Sequence, residues 1–161
     1  PPHFYNTERE LIRLLFENDE KIIALIIENV TGDDILVDIH KKIFEKVYFE
    51  YENRGSLDPA DLINLFDDET QVYLRELTIE KYSLSDNWED FSLSENQEMR
   101  NIKYATDLII KYKQTHIDIQ IAANVKAQEN TEDEARLIEL MKEKQELVNK
   151  KKSVREEFEK E

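Results

Sequence analysis

Glycine and proline are scarce in this chain: 2 Gly and 3 Pro among 161 residues. Hairpins and tight crossovers depend on glycine for positive φ, so a sheet with many reversals has no means of turning. Long helices joined by few breaks are the remaining solution. The 37% charged and 40% apolar residues suit helices that are solvated on one face and packed on the other. An apolar share of that size can build a core, so the chain is not globally disordered.

The helices can be placed one by one. Thr7 and Glu10 have capping-box spacing, which predicts a helix start ahead of Leu11, Ile12, Leu14 and Leu15. After the polar run 17–20, a second short helix is predicted from Asp19 to Val30, carrying Ile22, Ile23, Leu25, Ile26 and Ile27. Residues 31–34 end it. A third is predicted over 37–54, with Ile39, Ile43, Phe44, Val47, Tyr48 and Tyr51 at helical spacing and Gly55 as its stop. Asp58-Pro59 reads as an N-cap followed by proline at the first helical position, opening a short helix with Leu62, Ile63, Leu65 and Phe66. A fifth is predicted over 69–80. In the irregular stretch 81–94, Trp88 and Phe91 are expected to plug into the core. Ser94 is expected to cap a helix over 95–127, which contains no Gly or Pro. Thr131 and Glu134 repeat the capping-box spacing before a last helix that starts near Glu132. Leu140, Leu147 and Val154 recur every seven residues along it. The break between the two long helices is short, so they should fold back antiparallel.

The expected fold is therefore all-α: a compact bundle of short helices followed by a long antiparallel helical hairpin. Residues 1–98 form the acidic bundle, completed by the first half of the next helix, and 99–161 form the hairpin. Residues 1–98 hold 24 acids and 9 bases, whereas 99–161 hold 13 of each. A bundle so acidic repels a nucleic-acid backbone, which needs clustered Lys and Arg, so direct nucleic-acid binding is not expected. The acidic face reads first as a solvated surface.

Few classes of chemistry fit. No Cys is present, which excludes disulfides and Cys-based zinc sites. His3, His40 and His116 lack ligand spacing and read as surface or packing residues. There is no phosphate-binding glycine loop, nucleophile elbow, His-Glu-x-x-His or Glu-x-x-His pattern. Asp33-Asp34 and Asp67-Asp68 occupy turn positions, where Asp caps helices. No cofactor, metal or catalytic role is expected. No stretch is apolar enough for a membrane span and no signal peptide is visible. With Pro1-Pro2 in place of an initiating Met, the expectation is a cytoplasmic piece cut from a longer protein.

The order of these elements resembles the C-terminal domain of bacterial DNA primase of the DnaG type. Residues 7–15, TERELIRLL, look like that domain's opening helix, which a second short helix follows at once. Residues 38–44, DIHKKIF, are similar to its third helix. Residues 57–65 and 72–77 fit its next two helices. Residues 133–152, rich in Glu, Leu, Gln and Lys, are similar to its terminal hairpin. The resemblance implies a non-catalytic domain that docks primase, a DNA-directed RNA polymerase, onto the N-terminal collar of the replicative helicase hexamer. The hairpin would make the main contact and the bundle would modulate priming and unwinding. One departure is that 95–127 shows no breaker where the family often has a kink.

The candidate helicase-binding residues are chosen on physical grounds, as the hairpin's apolar positions: Ile117, Ile121, Val125, Leu137, Ile138, Met141, Val148, Val154 and Phe158. About half of them are expected only to zip the two helices together. The piece alone is expected to be a monomer. Two alternatives predict self-association instead: the helicase's own N-terminal oligomerising collar domain, and a generic coiled-coil dimer built on positions 140, 147 and 154.

Overall fold

The computed structural model describes residues 3–55, 58–85 and 94–159. Among them are seven α-helices and one 3₁₀ turn, with no strand, so the fold is all-α as expected. None of the described helices is long and apolar enough to cross a membrane. The chain divides into two compact units, Pro1–Ile109 and Ile110–Glu161, and the division falls within a helix.

The first unit is built around α1 (His3–Leu15), which packs against α2 (Glu20–Asn29), α3 (Asp38–Arg54) and α5 (Asp68–Ser85). Its apolar face, Leu11, Ile12, Leu14 and Leu15, is fully buried. Thr7 does not cap this helix. The helix begins four residues earlier, and Thr7 lies buried within it. Thr7 stands four residues before Leu11 and seven before Leu14, which places it on the apolar stripe. Glu10 serves elsewhere, accepting from Arg13 Nη2 at 2.7 Å and Tyr104 Oη at 2.9 Å. Asn18 ends the turn after α1 with φ of 61°, a left-handed geometry that Asn tolerates better than most residues.

α2 is helical despite its isoleucines. Asp19 caps it, accepting from Lys21 N at 3.1 Å and Ile22 N at 3.3 Å, while Ile22, Ile23, Ile26 and Ile27 are buried. Burial of the branched side chains outweighs their slight loss of rotamer freedom in a helix. A 3₁₀ turn, Gly32–Asp34, leads to α3, which ends at Gly55 with φ of 71°. α4 (Pro59–Ile63) has the cap expected of it, Asp58 accepting from Ala60 N at 3.1 Å. Leu65 and Phe66 fall outside α4, in the turn that follows it. There Asp67 caps α5, accepting from Thr70 N at 2.8 Å and pairing with Lys42. Lys42, and then Thr70, hold the Asp67 carboxyl well below the usual carboxylate range.

α5 runs to Ser85 and α6 (Ser94–Glu129) starts at Ser94, so regular structure reaches further into 81–94 than predicted. The roles expected of Trp88 and Phe91 lie outside the described residues. α6 has 36 residues. Ala105, Leu108 and Ile109 on its first half are buried in the first unit.

The second unit is an antiparallel hairpin formed by the rest of α6 and α7 (Glu134–Glu159). Early positions of one helix meet late positions of the other. Lys113 Nζ lies 5.4 Å from the Phe158 ring centroid, Lys151 Nζ donates to Asp118 at 2.7 Å, and Asn124 Nδ2 donates to the Leu140 carbonyl at 2.9 Å. The cap of α7 is Asp133, not Thr131: Ala135 N donates to Asp133 Oδ1 at 3.0 Å, whereas Thr131 Oγ1 only receives Asp133 N at 3.4 Å. Asp sits one residue before the helix, the position from which a short acceptor reaches the free N–H groups.

Candidate functional site

The nine hairpin residues separate into three groups. Ile117 and Val154 are buried in one cluster with Ile110, and Ile121, Leu147 and Phe158 pack against it. These side chains are spent inside the unit. Leu140, also buried, extends the same seam. Val125, Leu137 and Val148 are half-buried. Ile138 and Met141 stay 54% and 56% exposed. Three residues apart on α7, they share a helical face, and Val148 stands seven residues beyond Met141 along it.

Two exposed large apolar side chains, one of them a flexible thioether, can settle into an apolar depression on another molecule. Removing the remaining half of each from water would contribute roughly 2–3 kcal/mol before ordering costs. Around them Arg136 pairs with Glu139 at 3.1 Å and Glu143 at 3.7 Å, leaving a charged rim beside the apolar pair. Ile119, on the outer side of α6, is 38% exposed and was not singled out from the sequence, where it resembles the buried Ile117 and the half-buried Ile121.

The first unit holds a polar relay that sequence reasoning missed. Glu8 and His40 are both buried, at 1% and 0% exposure. The Glu8 carboxylate accepts from Leu36 N at 2.7 Å, Val37 N at 3.1 Å and His40 Nδ1 at 3.0 Å. A carboxylate only accepts, so Nδ1 carries the proton. His40 Nε2 meets the Tyr73 hydroxyl, which lies 3.4 Å from that of Tyr5. The Tyr5 and Tyr73 rings flank the imidazole with centroids 5.2 and 5.6 Å away. Burial pushes the Tyr73 phenol above the ordinary tyrosine value, and the hydrogen bond to Tyr5 adds to this.

Carboxylate, imidazole and hydroxyl in series are the parts of a proton relay, yet here they tie α1, α3 and α5 together with every oxygen and nitrogen occupied. The sequence carries a signal for it. Glu8 precedes Leu11, Ile12 and Leu15 by three, four and seven residues, and His40 stands in the same relation to Ile43, Phe44 and Val47. Polar groups on two apolar stripes must satisfy each other. Among the described residues, no three His, Asp or Glu side chains converge as a metal site requires.

No curated protein and no solved structure matches the chain. A family model, that of a domain of unknown function, DUF8430, spans residues 1–159, and the chain belongs to that family.

Proposed function

We propose that this chain is the non-catalytic C-terminal domain of a DnaG-type bacterial primase. It docks the primase onto the N-terminal collar of the replicative helicase hexamer in the cytoplasm, and modulates priming and unwinding from there. The observation that supports this reading best is the exposure of Ile138 and Met141, more than half open to water, on a hairpin whose seam already takes up Ile117, Ile121, Leu140, Val154 and Phe158. Burial of Leu140 and Val154, with Leu147 half-buried and packed beside them, also argues against a dimer on that seam, because the seam already has its partner within the chain. The order of elements, five short helices and then a long pair, supports it further.

The test is sizing by light scattering, of the chain alone and then mixed with the cognate helicase hexamer. A monomer that co-elutes with the hexamer is the expected result. A self-associated species that ignores the hexamer would overturn the reading and favour the oligomerising collar of a helicase.

A further inference from the structure

We propose that the first unit carries a docking groove for a basic amphipathic helix of a partner protein. The groove has a volume of about 630 Å³ and lies between the end of α2, the 3₁₀ turn and the second half of α3. That is within the range of sites that seat several apolar groups, roughly 300–1,000 Å³. Ile27, Val30 and Phe44 are its buried apolar floor. Tyr48 and Phe49 stand at its edge, 43% and 58% exposed, and Phe44 stacks on Tyr48 with ring centroids 6.3 Å apart. Large aromatic side chains left in water over an apolar floor are the usual anchors of an interface.

Charge chooses the occupant. Glu28, Asp33, Glu45 and Glu52 line the groove, and none of its lining residues is basic. A neighbouring groove shares Glu45 and Phe49 but also carries Lys41, Lys42 and Lys46, so its charge is balanced. Lys46 is already engaged, with Nζ 3.4 Å from Glu50 and 5.5 Å from the Phe49 ring centroid. The four carboxylates therefore face solvent around an apolar floor. An acidic or neutral helix would leave them opposed or unpaired, whereas one with Leu or Phe at three- and four-residue spacing and Lys or Arg beside them satisfies both parts.

The full chain is titrated into a fluorescein-labelled designed helix of Leu and Lys, followed by anisotropy. Control helices carry Glu for every Lys, or Ser for every Leu. Expected is saturable binding of the Leu/Lys helix alone. Glu28→Lys with Glu52→Lys should weaken it about tenfold. Phe49→Ser should do likewise. Asp61→Lys with Glu76→Lys changes net charge equally at exposed positions outside the groove and should weaken binding by no more than about twofold. Equal loss in both charge variants, or equal binding of the Ser-containing helix, would overturn the proposal, leaving only attraction to net charge. Amide chemical shifts of the unmodified chain supply a readout that requires no variant. Changes confined to residues 27–33 and 44–53 support the groove, and changes centred elsewhere remove it.

Discussion

Glu8 occupies the position where one side chain does most for the fold. Its carboxylate holds two backbone N–H groups ahead of α3 together with the His40 imidazole, in a site closed to water. Removing a shared acceptor strands every donor it served, and each stranded buried donor costs about 1–3 kcal/mol. Glu8→Ala should therefore lower stability by about 3–5 kcal/mol, while Glu8→Gln, which keeps one acceptor in place, should cost about 1–2 kcal/mol. Urea midpoints at neutral pH measure both, and equal midpoints for the two variants would show that the carboxylate is not the shared acceptor. Tyr73 extends the same argument to pH. Its phenol is held above the ordinary value of 10.0, so the fold favours the neutral form. That contribution is complete below about pH 10 and is lost as pH rises through the raised folded value. Tyr73→Phe should lose less stability than the parent chain between about pH 9 and pH 11.5. Tyr104, raised by its own burial and by Glu10, keeps the variant from becoming flat. Parallel decline in the two chains would mean that Tyr73 titrates no differently when folded.

Helices were legible wherever one local rule decided them. Asp58-Pro59 and Gly55 mark ends by backbone chemistry alone, and of the predicted α3 stripe Ile43, Phe44 and Val47 are buried while Tyr48 stays exposed. Capping boxes were less informative, because Thr and Glu three apart also occur inside helices. Thr7 is set by the stripe it shares with Leu11 and Leu14, and Thr131 yields to the better-placed Asp133. Local spacing marks Glu8 and His40 singly as polar residues on apolar stripes, but it does not pair them, because the partners in the relay lie 32 and 33 residues apart. On the hairpin, periodicity alone could not say which apolar residues zip and which face water, since that depends on where α6 crosses α7. The burial now makes a prediction. Leu140→Ala should cost about 2–4 kcal/mol and Val154→Ala about 1–2 kcal/mol, because each leaves a void in a packed seam. Ile138→Ala and Met141→Ala should stay within about 0.5 kcal/mol of the parent. Thermal unfolding followed by circular dichroism orders the four, and a loss at Ile138 as large as at Leu140 would place Ile138 in the seam.

At the scale of the molecule, charge and apolar surface are allotted to different parts of the chain. The excess of carboxylates lies in 1–98, while the exposed pair Ile138 and Met141 sits where acids and bases balance. Two kinds of contact follow, and salt distinguishes them. Screening shortens the reach of exposed charges from roughly 13 Å at about 0.05 M to roughly 4 Å at about 0.5 M salt, but leaves the burial of apolar area nearly untouched. If the chain docks on the helicase hexamer through Ile138 and Met141, its affinity should change by no more than about threefold over that range. The double variant Ile138→Asp, Met141→Asp should abolish co-elution at either salt, since it asks the interface to bury two unpaired carboxylates. Its helicity should remain that of the parent, because both positions face water. Binding of a basic helix in the groove beside Phe49 should instead fall steeply across the same range, as contacts between exposed charges do. Hexamer binding that collapses at high salt while surviving the double substitution would transfer the docking surface from the hairpin to the acidic unit.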